Sequence, residues 1–132
     1  MRSRNFVLCV LLLGALSCPL WMRAQGASQP ETVMVTFHVK PGREAELQKV
    51  IARHWTSVVA RKMVLPTPHV TLRGTEDGDK TYFVEIFTWR DAQVPDTAPA
   101  GITDIWNQMN QLVEARGGKD GLVFVPVSLD LG

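Results

Sequence analysis

Apolar and polar side chains alternate from Val33 to Lys40, with Val33, Val35, Phe37 and Val39 on one side and Met34, Thr36, His38 and Lys40 on the other. A period of two with β-branched residues predicts a strand, and Pro41-Gly42 ends it. The period then lengthens. Leu47, Val50, Ile51, His54, Trp55, Val58 and Val59 recur at steps of three and four, which predicts a helix from Arg43 to about Lys62. Glu44 and Glu46 in its first turn and Arg61 and Lys62 in its last suit the helix dipole, and Pro66 and Pro68 forbid continuation. Residues His69 to Arg73 and Lys80 to Trp89 are expected to be two strands of a hairpin, turning at Asp77-Gly78. After a proline-containing loop, Asp96 or Thr97 is placed to cap a second helix from about Ala98 to Arg116. Its apolar stripe is Ile102, Ile105, Trp106, Met109, Leu112 and Val113, and Gly117-Gly118 is expected to stop it. Leu122 to Leu129 is the last predicted strand, with Pro126 pointing to a sheet edge or a bulge.

The order βαββαβ is that of a ferredoxin-like α+β domain, with a four-stranded antiparallel sheet covered on one face by two helices. The expected helix-side residues are Val33, Val35, Phe37 and Val39 on the first strand and Tyr82, Val84 and Ile86 on the third. The open face is then expected to carry Met34, Thr36 and His38, then His69, Thr71 and Arg73, then Phe83, Glu85, Phe87 and Trp89. Large aromatics on an open face imply an interface or a groove.

The first 24 residues pattern differently. Arg2 and Arg4 precede an apolar run from Phe6 to Leu16, interrupted only by Gly14, and small residues follow. The run is too short to span a bilayer, which takes roughly 20 residues, and the arrangement is that of a secretory signal peptide. Cleavage is expected after Ala24, or after Gly26. Ala15-Leu16-Ser17-Cys18 offers a lipid-anchored alternative, and a retained anchor helix is a third reading. The domains are therefore read as a signal peptide at 1–24, a flexible leader at 25–31 and the folded domain at 32–132, exported to a periplasm or secreted. After cleavage no stable membrane insertion is expected. Both cysteines, Cys9 and Cys18, lie in the leader, so the mature chain would have no disulfide, thiol nucleophile or cysteine metal site. Three basic residues and no acidic ones leave with it, turning a net charge of +1 into −2. No basic stripe remains to attract nucleic acid.

The segments Lys40-Pro41-Gly42-Arg43-Glu44-Ala45-Glu46-Leu47 and Val84-Glu85-Ile86-Phe87-Thr88-Trp89-Arg90-Asp91 resemble those of the antibiotic-biosynthesis-monooxygenase type of dimeric α/β-barrel domain. The resemblance spans roughly Thr32 to Leu129 and implies a homodimer whose open sheet faces pack across a two-fold axis. It also implies a cleft between sheet and helices or at the barrel mouth. Such domains include cofactor-free monooxygenases of quinol-like aromatics and haem-degrading enzymes. The haem-degrading kind has an Asn on the first strand and a haem-ligating His on the second helix, and this chain has neither. The family's frequent His after the third strand is also missing, its place taken by Asp96-Thr97-Ala98-Pro99.

Histidine is the natural proton-transfer group near neutral pH. If His38 and Glu85 meet on the open face, Glu85 would orient His38 to deprotonate a phenol held against Phe87 and Trp89, with His69 beside the pocket. The plainer reading of that pair is mutual satisfaction at a dimer interface. His54, Trp55 and Trp106 lie in helical stripes and are expected in the core, His54 with one hydrogen bond. The three histidines show no metal-ligand spacing, and there is no phosphate loop or nucleophile elbow, so no cofactor or metal is expected. Three functions follow: an exported monooxygenase-like enzyme acting on a small aromatic or quinone, a non-catalytic small-molecule binder, and a structural dimer module.

Overall fold

The computed structural model describes residues 28–130, so the expected signal peptide lies outside the described residues. The order is β1 (Glu31–His38), α1 (Glu44–Ala60), β2 (Val64–Glu76), β3 (Lys80–Trp89), α2 (Ala100–Gln111) and β4 (Leu122–Pro126). All pairings are antiparallel and the sheet order is β2-β3-β1-β4, the ferredoxin-like arrangement. Both helices lie on one face. β4 is an edge strand, and its Pro126 closes the pairing where the missing N–H costs least. The β2–β3 hairpin turns at Asp77 and Gly78, both with positive φ, as a tight turn demands.

Four local expectations change. β2 is longer than expected, because the sheet tolerates Pro66 and Pro68 in a register shift between Val64 and His69 on an edge strand. Neither Asp96 nor Thr97 caps α2: Val94–Thr97 is a turn of 3-10 helix and Pro99 holds the N-cap position without a side-chain hydrogen bond. Gly117-Gly118 does not stop α2, which ends at Gln111; Val113 bridges to Val39, and the two glycines turn the chain between Arg116 and Lys119. The end of the leader is tied down, Ala92 N–H donating to the Gln29 carbonyl at 3.0 Å.

The larger correction concerns β3. Cross-strand partners share a face. Val33 pairs with Phe87, Val35 with Glu85 and Phe37 with Phe83. Phe83, Glu85, Phe87 and Trp89 therefore lie under the helices and are buried. The partners of β2 follow them: His69 lies opposite Phe87, Thr71 opposite Glu85 and Arg73 opposite Phe83. Tyr82, Val84 and Ile86 face outward with Met34 and Thr36. The open face is thus mainly aliphatic, with Tyr82 the one aromatic that β3 contributes to it. The core beneath the helices is built from Val33, Phe37, Leu47, Val58, Phe83, Phe87 and Ile102, each at most 2% exposed.

Candidate functional site

His38 and Glu85 do not meet. His38 lies on the outward face opposite Tyr82, whereas Glu85 points under the helices. His38 Nδ1 donates instead to Glu76 Oε1 at 2.5 Å, and Arg116 Nη1 donates to the same oxygen at 3.1 Å. Burial works against the Glu76 carboxylate, but these two hydrogen bonds outweigh it and hold the carboxyl below its usual range. Arg116 also donates to the carbonyls of Thr81 and Val39 and to Glu114. This is a structural knot at one end of the sheet, pinning the segment after α2.

The other predicted residues do converge, on the helix-covered face. Between the sheet and α2 lies a cavity of about 300 Å³, at the small end of ordinary ligand sites. Glu85 lies in its floor, Phe87 and Trp89 extend along β3, and Val35 and Phe37 come from β1. Phe87 and Trp89 meet edge to face at 4.8 Å, and Trp106 of α2 completes an aromatic wall 6.2 Å from Trp89. The exposed residues Asn110 and Phe124 form its rim.

His54 of α1 is the member sequence reasoning placed in the core. It is 3% exposed and takes one hydrogen bond, donated by Trp106 Nε1 to its Nε2 at 3.0 Å. Indole N–H can only donate, so Nε2 carries no proton. Burial, and secondarily the nearby His69, push the His54 pKa down to about 4. The neutral ring therefore holds its proton on Nδ1, as a donor with no protein partner. Its spacing on the apolar stripe gave the core position, but only the pairing with Trp106 reveals the tautomer.

Glu85 is 1% exposed, and burial pushes its carboxyl up to about 8. Its Oε1 shares a 3.0 Å hydrogen bond with His69 Nε2. His69 stands outside the cavity wall and stacks flat on Trp55, the rings 3.6 Å apart and within 6° of parallel. Burial lowers the His69 pKa as well. Glu85 Oε2 has no partner, and neither does Trp89 Nε1. Of four buried, unpartnered side-chain polar atoms among the described residues, three belong to residues that line this cavity: His54, Glu85 and Trp89. Such atoms are costly unless something pairs with them. Two unpaired donors and a carboxyl of raised pKa thus belong to residues that wall one aromatic-lined cavity.

The ferredoxin-like fold places the chain in a structural class that solved structures share. The chain is similar to a point mutant of SnoaB, a cofactor-independent oxygenase from Streptomyces nogalater, at 18% identity, with 80% of this chain and 97% of that one covered and a TM-score of 0.57. It is similar to Rv0793 from Mycobacterium tuberculosis at 13% identity, covering 79% and 100%, with a TM-score of 0.55. It is also similar to a Caulobacter crescentus protein described provisionally as an antibiotic biosynthesis monooxygenase, at 13% identity, covering 77% and 92%, with a TM-score of 0.53. At these identities the likeness is one of fold, and the fold is the antibiotic-biosynthesis-monooxygenase-like ferredoxin fold that the motifs suggested. No protein-family model matches the sequence, and no curated protein does.

Proposed function

We propose that the cavity binds a small planar aromatic bearing a phenol or quinone oxygen, and that the protein oxygenates the phenol form without a cofactor. One observation carries this reading: the unpartnered polar atoms of His54, Glu85 and Trp89 belong to residues lining one aromatic-walled cavity. His54 Nδ1–H and Trp89 Nε1–H suit a ligand oxygen, while Phe87 and Trp106 suit the ring edges and faces. Glu85 is the base. A carboxylate with a pKa of about 8 is far better matched to a phenol than an ordinary one is. Removing the phenolic proton leaves an electron-rich phenolate whose ring carbon reduces dioxygen to a hydroperoxide. Loss of water then leaves a quinone carbonyl, so one oxygen atom enters the product and the other leaves as water. SnoaB, described as a cofactor-independent oxygenase, lends the fold precedent.

A second reading is favoured by one fact: at neutral pH most Glu85 is protonated. In that state the site presents donors, which suits holding a quinone without turnover.

The test uses 1-naphthol and a hydroxyanthrone as phenols and 1,4-naphthoquinone as the oxidised form, followed by thermal shift and oxygen uptake. The catalytic reading expects stabilisation by the phenols and oxygen uptake that rises with pH through about 8 and disappears in Glu85→Gln. Stabilisation by the quinone without oxygen uptake supports the binder. If neither kind of ligand raises the melting temperature, both readings fail.

The full chain is proposed to be exported, on the strength of its basic, apolar and then small N-terminal pattern. Mass spectrometry of the periplasmic or secreted protein should find a new N-terminus at Gln25 or close to it. An intact Met1, or a lipid on Cys18, would refute the soluble form.

A further inference from the structure

Glu85 connects two places that share no lining residue. One is the cavity. The other is a groove between α1 and β2, lined by Gln48, Trp55, Thr56, His69 and Thr71. The 3.0 Å hydrogen bond between Glu85 Oε1 and His69 Nε2 joins them. Glu85 is 1% exposed at its side chain and His69 is 27% exposed, so the pair spans from buried to wet in a single step.

We infer that Glu85 and His69 form a proton relay, carrying a proton from the cavity to the α1–β2 groove rather than back through the cavity mouth. Three features support a relay over a merely satisfied buried acid. Glu85 keeps Oε2 unpartnered while Oε1 is engaged, so one carboxyl can face a ligand and a relay partner together. An imidazole can accept at one nitrogen while it releases from the other, which an amide or hydroxyl in its place could not do as readily. The ring is held in plane by Trp55, which fixes Nε2 on the carboxyl. Of the groups around Glu85, β2 contributes its uncharged cross-strand partner Thr71 and the hydrogen-bonded His69, α1 contributes His54, and β1 contributes the uncharged Val35. His54 is hydrogen-bonded to Trp106 rather than to Glu85, so His69 is the hydrogen-bonded exit.

The step balances without any oxidant. Glu85 passes its proton to His69 Nε2 as Nδ1 gives one to water. This leaves a carboxylate and a neutral imidazole of the other tautomer, and exchange with water restores the first tautomer. The carboxylate then accepts the ligand's proton at Oε2, and rotation of the carboxyl about its Cγ–Cδ bond turns that proton toward His69 Nε2 for the next transfer. The functional purpose rests on the phenol reading above, but the relay can be tested with no ligand at all.

The test is a pH jump on the ligand-free protein, watching the protonated-carboxyl infrared band of Glu85, identified by its loss in Glu85→Gln. His69→Phe retains a ring for Trp55 to stack on, and His69→Gln retains a hydrogen-bonding group, so one covers for misfolding of the other. Both variants should slow the band's response by at least about tenfold, and in His69→Gly, which vacates the space of the ring, free imidazole should restore much of the rate. An unchanged rate in both would overturn the relay, as would a slowed rate that imidazole leaves untouched. Absence of a Glu85 protonated-carboxyl band would overturn it too. Failure of phenol binding with a working relay would sink the function and leave the relay standing.

Discussion

At the scale of single residues, Glu85 and His54 give the protein a signed pH dependence. Burial raises the Glu85 carboxyl to about 8 from 4.5, so between those values the folded chain holds a proton that the unfolded chain has lost. Stability therefore falls as pH rises through that interval. His54 has the opposite sign. With its pKa lowered to about 4 from 6.5, the unfolded chain holds the extra proton, and stability rises with pH between those values. The two slopes oppose each other up to about pH 6.5, and above it only the Glu85 slope remains. Glu85→Gln keeps the shape and removes the ionisation. Its melting temperature should exceed that of the natural protein at pH 8.5 by at least about 5 °C, with the gap closing near pH 5, as calorimetry would show. A pH-independent gap would mean that Glu85 is not protonated in the fold. The site was half legible in the sequence. Alternation grouped His69 with Glu85, Phe87 and Trp89 correctly. It could not say which group faced the helices, because both sides of β3 are apolar: Tyr82, Val84 and Ile86 against Phe83, Phe87 and Trp89. Side-chain volume is the signal that discriminates, since the bulkier set fills the space under two helices while the slimmer set stays outside.

At the scale of elements, β1, α1 and β3 were legible from their periods, and α2 was overextended for an identifiable reason. Leu112 and Val113 continue its apolar spacing and both are buried, but they are packed by a turn that runs back along β1. What holds that turn is invisible to periodicity: a buried Arg116 that pairs with the nearby Glu114 and reaches Glu76 and two carbonyls across more than 30 residues of sequence. Arg116→Met fills similar space without its donors, and leaves those carbonyls and Glu76 to find water. It should cost on the order of 3 kcal/mol in urea unfolding, because a buried ionic partner is lost from one side only. Gly121 tests the same joint. A Cβ there would meet the backbone nitrogen of Glu114 at 2.8 Å, with its own carbonyl accepting from His38 N–H at 2.7 Å. Backbone cannot swing away as a side chain can, so Gly121→Ala should destabilise by about 1–3 kcal/mol. An alanine variant as stable as the natural protein would show that this joint flexes.

At the scale of the whole molecule, the correction to β3 changes the case for a dimer without removing it. The outward face holds Met34, Val84, Ile86 and Val123 half-buried, while Val70, Leu72 and Val125 are 40 to 53% exposed. Its charged groups, Glu76 and Lys80, stand together at the hairpin end. A continuous aliphatic sheet face costs free energy in water, and two copies related by a two-fold axis could each cover the other's. The earlier motive, exposed aromatics, is gone: Phe83, Phe87 and Trp89 are in the core. The aliphatic face makes a cleaner prediction, since its residues do not line the cavity. The protein is expected to be a dimer at micromolar concentration, and Val84→Glu should make it a monomer. The two-fold axis introduces each substitution twice, so a desolvated carboxylate enters from both sides at a cost on the order of several kcal/mol. Leu72→Glu, nearer the sheet edge, should weaken the dimer less. Sedimentation measures the mass, and 1-naphthol stabilisation reports on the cavity in the same samples. A natural protein that sediments as a monomer would refute the sheet-to-sheet dimer. A Val84→Glu protein that remains a dimer would place the interface on another surface.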